Sequence, residues 1–201
     1  MSDLVLATRN AGKIADLQGL IDSEPALDGL RVVGVGDFPE LEDVPETGLT
    51  FIENATLKAK YATEKLNLPA VADDSGISVD VLGGCPGVFS ARWAGRHGDD
   101  QANIDLLLAQ TADVPIDKLI ARFECSVVLA MPDGALHSAT GVVDGRLTRE
   151  QRGTNGFGYD PIFELPDGRT FAEYTATEKH AASHRGQAFR ALVPTLVRLF
   201  T

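Results

Sequence analysis

Ile120-Ala121-Arg122-Phe123-Glu124-Cys125-Ser126-Val127-Val128-Leu129-Ala130-Met131-Pro132-Asp133-Gly134-Ala135-Leu136-His137-Ser138-Ala139-Thr140-Gly141-Val142-Val143 is the stretch that settles the fold class. The segment from Ile120 to Met131 alternates well enough for a strand, Pro132-Asp133-Gly134 makes a turn, and Ala135 to Val143 returns as the partner strand. Outside this hairpin, strands and helices intermix without strict alternation. The expectation is therefore an α/β protein with a mixed central sheet flanked by helices.

Upstream, Asp99 or Asp100 caps a helix with Ile104, Leu107 and Leu108 on one side. Ala70-Val71-Ala72 reads as a buried strand running straight into Asp73-Asp74-Ser75-Gly76. Ile77 to Val81 alternates like another strand before Gly83-Gly84-Cys85-Pro86-Gly87 forces a turn. Thr50-Phe51-Ile52-Glu53 is a capping box. The helix it opens carries Leu57, Tyr61 and Leu66 to one side and Lys58, Lys60 and Lys65 elsewhere, and Leu68-Pro69 ends it. Gly36 to Gly48, with Pro39, Pro45 and a run of carboxylates, reads as an acidic loop. Leu4-Val5-Leu6-Ala7 predicts a buried first strand, Ala11 begins a helix bearing Ile14, Leu17, Leu20 and Ile21, and Arg31 to Val35 predicts a second strand. Downstream, a further strand is expected near Gly145 to Thr148, followed by a glycine-rich loop from Arg152 to Gly158. The last helix carries Phe189, Leu192, Val193, Leu196 and Leu199, and Pro194 predicts a kink or a break in it.

The chain has 201 residues, a length for one domain or two closely packed lobes. Hydrophobic content of 44% and charged content of 23% exclude a disordered, collagen-like or coiled-coil chain. No apolar run approaches a membrane span, and the N-terminus lacks the features of a signal peptide, so the cytoplasm is the expected location. A net charge of −11 opposes a general nucleic-acid-binding role. It leaves room for a small phosphate ligand or a divalent cation. Cys85 and Cys125 have no paired spacing and read as reduced structural thiols.

Four segments carry candidate chemistry. Thr8-Arg9-Asn10-Ala11-Gly12-Lys13 lies between a strand and a helix, where unpaired helix-start amides and Lys13 suit a phosphate. An N-capped helix with a surface lysine is the plainer alternative. Asp73-Asp74-Ser75-Gly76 places adjacent carboxylates in different directions along an extended chain. One can be held by backbone donors while the other takes Mg²⁺, which prefers one or two carboxylates plus waters and phosphates. The alternative is an Asp-rich turn capping its own backbone. Glu46 in the acidic loop is a second carboxylate. Gly153-Thr154-Asn155-Gly156-Phe157-Gly158-Tyr159-Asp160-Pro161 brings aromatic rings and open backbone to a flat ligand, or tucks the aromatics into the core. Lys179 with Ser183-His184-Arg185-Gly186 adds donors near the start of the last helix. There is no Gly-x-Ser-x-Gly elbow and no cysteine with an obvious partner, which disfavours covalent catalysis.

Together these segments resemble the inosine triphosphate pyrophosphatase family. Glu46-Thr47-Gly48-Leu49-Thr50-Phe51-Ile52-Glu53-Asn54-Ala55, Gly83-Gly84-Cys85-Pro86-Gly87 and Ser90-Ala91-Arg92 add to the match, in family order from residue 8 to residue 186. Arg9 departs from it, standing where glycine is frequent, and Pro45 stands where another acid is common. The resemblance implies one elongated, two-lobed domain over residues 1–201 around a deep active-site cleft, as a homodimer. It implies Mg²⁺-dependent hydrolysis of non-standard purine nucleoside triphosphates (ITP, dITP, XTP) to monophosphate and pyrophosphate, which cleanses the nucleotide pool. It implies Asp74 as general base and metal ligand, Glu46 as metal ligand, and Asp73 as a further candidate. Thr8, Arg9, Asn10, Ala11, Gly12, Lys13, Lys58 and Ser75 would hold the triphosphate. Phe157 and Tyr159 would flank the base, Gly158 and Asp160 would add backbone and polar contacts, and Lys179, His184 and Arg185 would complete the base pocket. A Maf-like pyrophosphatase and a non-catalytic nucleotide sensor are the competing readings.

Overall fold

The computed structural model describes residues 2–39 and 41–201, so Met1 and Glu40 of the acidic loop lie outside the described residues. Six strands are hydrogen-bonded in the order β2-β1-β3-β4-β5-β6. They are β1 Ser2–Leu6, β2 Leu30–Gly34, β3 Ala70–Val79, β4 Ile120–Ala130, β5 Leu136–Leu147 and β6 Phe163–Glu164. β1 pairs in parallel with β2 and with β3, whereas β5 and β6 are antiparallel. The sheet is mixed, as the hairpin predicts. The helices are α1 Ala11–Asp22, α2 Phe51–Leu66, α3 Asp100–Gln110, α4 Ala176–Ala182 and α5 His184–Phe200, with short 3-10 turns between elements.

Two compact units emerge. The first comprises the N-terminal segment through Asp74, Cys125–Gly141 and Arg185–Thr201. Leu4, Val5 and Leu6 of its central strand are fully buried, because neighbours on both edges and cover on both faces require an apolar run rather than an alternating one. One face packs against Leu17 and Ile21 of α1 and against Ala188, Phe189, Leu192 and Leu196 of α5. Pro194 leaves α5 continuous through Phe200. It sits on the exposed side, and Leu192 and Leu196 fix the helix on the core to either side.

The large apolar residues of α2 are not its most buried ones. Leu57 is 37% exposed, while Ala55, Ala59 and Ala62 are buried. Ala55 and Ala59 pack on Ala72, Val128 and Ala130, so small side chains bring the helix close to the sheet. The capping box forms, with Glu53 N–H donating to Thr50 Oγ1 at 3.3 Å and Thr50 N–H to Glu53 Oε2 at 3.1 Å. Asn67 ends the helix in the left-handed region at φ 53°.

The second unit comprises Ser75–Glu124 and Val142–His184. Its core gathers Ile77, Ile104, Leu107, Phe123, Phe163 and Phe171, with Phe123 and Phe163 edge to face at 4.6 Å. The strand expected near Gly145 to Thr148 is the end of β5. Gly145 is required there because a Cβ would lie 2.5 Å from the Glu164 carbonyl oxygen of β6.

β3 contributes residues to both units, and it joins into one strand the two that the sequence reading separated. Asp73 to Gly76 form no turn; the strand runs through them from Ala70 to Val79. Every residue of β3 is buried except Asp74 and Ser75, which are half-buried. Gly76 permits this close packing, since a Cβ would meet the Gly87 carbonyl oxygen at 2.6 Å.

Candidate active site

In the first unit, Asp73 and Asp74 take separate partners. Asp73 is buried, and Lys13 Nζ donates to both its oxygens at 2.9 and 2.8 Å. Arg185 Nε adds a bond to Oδ2 at 3.1 Å. Burial alone would raise the Asp73 pKa, but the Lys13 and Arg185 charges outweigh it and hold the carboxyl well below the usual range. Side-chain cations therefore hold Asp73, in place of the expected backbone donors. Arg185 is half-buried beside it, and Asp73 raises the guanidinium's pKa against the effect of burial.

Asp74 turns the other way along the strand. Asn54 Nδ2 donates to its Oδ2 at 2.9 Å, and Lys58 Nζ stands 3.8 Å from its Oδ1. The same ammonium donates to Glu46 Oε1 at 2.8 Å, so Glu46 and Asp74 converge on one cation. Asn54 is fully buried, and its Oδ1 accepts the Gly48 N–H at 2.8 Å. It thus ties the backbone just beyond Glu46 to the Asp74 carboxylate. The sequence reading quoted Asn54 without assigning it a role. Its signal was a polar side chain among the buried Phe51, Ala55, Ala59 and Ala62 of α2.

The loop from Thr8 to Lys13 is partly satisfied internally. Asn10 Oδ1 caps α1 by accepting Gly12 N–H at 2.9 Å and Lys13 N–H at 3.3 Å, and Thr8 Oγ1 accepts Asn10 N–H at 3.2 Å. Ala11 opens the helix. Arg9 reaches the acidic loop, donating Nη2 to the Leu41 carbonyl at 2.9 Å and pairing with Asp43 at 3.5 Å.

In the second unit, Phe157 is 60% exposed. Its N–H donates to Asp160 Oδ2 at 2.8 Å, and Lys179 Nζ, ion-paired to that oxygen, lies 4.6 Å from the ring centroid. Gly156 serves this cluster, with φ +79° and space for a Cβ only 2.0 Å from Asp160 Oδ2. Gly158 N–H donates to Asp100 Oδ2 at 2.7 Å. Tyr159, expected to flank a base beside Phe157, is instead a core residue. It is 4% exposed and its hydroxyl donates to the Ser90 carbonyl at 2.9 Å. Burial pushes its pKa up. His184 is also buried, its ring stacked on Phe123 at 4.8 Å. Lys179 lies on α4, a separate helix before the last one. Ser75 follows Asp74 on β3 and is half-buried.

Among the described residues, no group of three or more His, Cys, Asp or Glu side chains could hold a metal ion. The donor set nonetheless fits Mg²⁺. Glu46 and Asp74 already share a cation in Lys58, and magnesium binds through one or two carboxylates with water and substrate phosphates completing the shell. Cys125 is buried near this cluster, and its burial raises the thiol pKa and keeps it protonated.

The sequence pattern of the Ham1 family matches residues 4–195. A dITP/XTP pyrophosphatase of Streptomyces coelicolor is 56% identical over 99% of this chain and 99% of the relative. A solved HAM1 protein from Coxiella burnetii superposes with a TM-score of 0.90 at 40% identity, covering 98% of this chain and 100% of that one. A solved nucleoside-triphosphatase, a dITP/XTP pyrophosphatase from Mycobacterium abscessus, gives 0.81 at 46% identity, covering 96% and 98%.

Proposed function

This chain belongs to the Ham1 family, and on that premise we propose how its residues act. The protein is a hydrolase of non-canonical purine nucleoside triphosphates, splitting ITP, dITP and XTP into the monophosphate and pyrophosphate. The observation that carries the assignment is the division of labour on β3, where Asp73 is neutralised by Lys13 and Arg185 while Asp74 is held by a neutral amide beside Glu46 and Lys58.

Asp74 accepts the proton of the attacking water as general base. Asn54 fixes one of its oxygens and so sets the direction of the other. The water oxygen bonds to the α-phosphorus, the bond from that phosphorus to the bridging oxygen breaks, and pyrophosphate leaves. Lys58 and Lys13, now paired to carboxylates, exchange part of that pairing for phosphate oxygens as the triphosphate enters. Three cations face three carboxylates in this cluster (Lys13, Lys58 and Arg185 against Glu46, Asp73 and Asp74). These cations are already paired with carboxylates, which supports a divalent cation as part of the substrate complex. Mg²⁺ held by Glu46 and Asp74 would supply charge neutralisation of the phosphate oxygens.

The exposed Phe157 ring provides a stacking face for the base, with the Lys179 ammonium beside it. A donor in that place satisfies the 6-carbonyl of hypoxanthine or xanthine and opposes the 6-amino group of adenine. Each such mismatch costs about 1–3 kcal/mol. The proposed enzyme works in the cytoplasmic nucleotide pool. No described helix is long and apolar enough to cross a membrane. The proposed enzyme acts as a homodimer, as the family resemblance implies.

Purified protein incubated with Mg²⁺ and, in parallel, ITP, XTP, GTP, ATP and CTP is expected to give monophosphate plus pyrophosphate from ITP and XTP, and little from ATP, by ion-exchange chromatography. Diphosphate and orthophosphate as products would overturn the α-phosphorus assignment. Absence of turnover with every purine would favour a pyrophosphatase of other nucleotides or a non-catalytic sensor.

A further inference from the structure

Three successive residues of the loop that presents Phe157 are each held by a different group of the second unit. Phe157 N–H is taken by Asp160 at 2.8 Å, Gly158 N–H by Asp100 at 2.7 Å, and the Tyr159 hydroxyl by the Ser90 carbonyl at 2.9 Å. Asp160 is local to the loop. Asp100 is 58 residues upstream, in the first turn of α3, where the helix dipole favours a carboxylate. α3 is a rigid support. Ile104 and Leu107 lie in the core of the unit, and buried Asn103 accepts the Ala94 N–H at 2.7 Å.

The Phe157 ring is 60% exposed and has the Lys179 ammonium against it, and its backbone sets where that ring starts from. The Gly158 N–H belongs to the peptide plane that joins Phe157 to Gly158, and Gly158 itself adopts φ +59°, a conformation favouring glycine. A carboxylate bond of 2.7 Å on that N–H locks the plane. We infer that Asp100 is a positioning residue for purine recognition, which orients the Phe157 ring through the Gly158 amide without touching the base. The inference rests on Phe157 being the stacking face proposed above. It follows the general rule that precise sites are held by partners on rigid elements.

The test compares wild type with Asp100→Ala, which removes the acceptor, and Asp100→Asn, which keeps a side-chain oxygen. Three readouts are taken: kcat and KM for ITP, inhibition by inorganic tripolyphosphate, which has no base, and thermal unfolding. Asp100→Ala is expected to raise KM about tenfold, as loss of a stacking contact would, with kcat nearly unchanged. Tripolyphosphate inhibition is expected to match wild type, and Asp100→Asn to recover most of the KM. An unchanged KM in Asp100→Ala overturns the inference. So does a weakening of tripolyphosphate inhibition in proportion to KM, because that marks general damage rather than a misaimed base platform. If Asp100→Ala does not fold, Asp100→Ser, whose side chain is too short to reach Gly158, carries the same comparison. A wild type that releases no pyrophosphate brings down the functional reading and this inference together; normal wild-type turnover with an unaltered variant KM brings down this inference alone.

Discussion

Asp74→Asn is expected to lower the rate of pyrophosphate release from ITP by about 10²–10⁴-fold, the range associated with a lost general base. The substitution keeps the size and shape of the side chain and removes its charge and basicity. Its effect on folding should be small. Asp74 is half-buried in the strand, and Asn keeps an oxygen that can accept the Asn54 amide bond of 2.9 Å, while the Lys58 ammonium stands 3.8 Å away. Steady-state turnover and thermal unfolding, measured on one preparation, separate the two effects. A variant that turns over within tenfold of wild type contradicts the role given to Asp74.

Asp73→Asn should behave in the opposite sense at the neighbouring residue. Removing a buried carboxylate leaves Lys13 and Arg185 without their shared counter-charge, and breaking a buried ion pair in this way costs about 3–5 kcal/mol. The lower end applies, because the Lys13 and Arg185 side chains retain 22% and 16% exposure and can recover some hydration. For a chain of this size, about 3 kcal/mol corresponds to a Tm drop of about 6–12 °C. The pH dependence has a defined sign. The folded-state pKa of Asp73 is depressed, so its contribution is fully present above the ordinary carboxylate value of 3.8 and is lost as pH falls through the depressed one. The stability gap between wild type and Asp73→Asn should therefore be constant around neutrality and narrow only in strong acid. Urea unfolding at neutral pH and in acid checks this, and equal stability of the two proteins at neutral pH contradicts it.

Those two adjacent aspartates also mark where the sequence stopped being informative. Their being side by side on an extended segment was legible, as was their pointing in different directions. Which one was neutralised was not, since the cations on Asp73 come from 60 and 112 residues away. Asp, Ser and Gly mark turns in a local reading, yet β3 continues through all four residues, with pairing and buried packing on both sides outweighing local preference. In α2 the sequence showed where the large apolar residues lie but not that Ala55 and Ala59 would pack on the sheet.

Elements with a complete local signal appeared as read: the apolar β1, the Thr50–Glu53 capping box, the cap at Asp99 and the turn at Pro132-Asp133-Gly134. β6 has two residues, too few for any periodicity, and α4 has no buried residue to trace a stripe. The one mark of α4 was its own capping box, from Thr175 to Glu178. In the glycine-rich loop, composition placed Phe157 and Tyr159 on equal terms. Only the fold divides them, sending one ring into the core and leaving the other exposed.

The position of bond cleavage is the claim on which the roles of Asp74, Glu46 and Lys58 all depend. It is tested most directly by running the ITP reaction in ¹⁸O-labelled water and weighing both products by mass spectrometry. The account predicts one ¹⁸O in the phosphate of inosine monophosphate and none in pyrophosphate. Label in pyrophosphate with unlabelled monophosphate would mean attack at the β-phosphorus, and would contradict the mechanism.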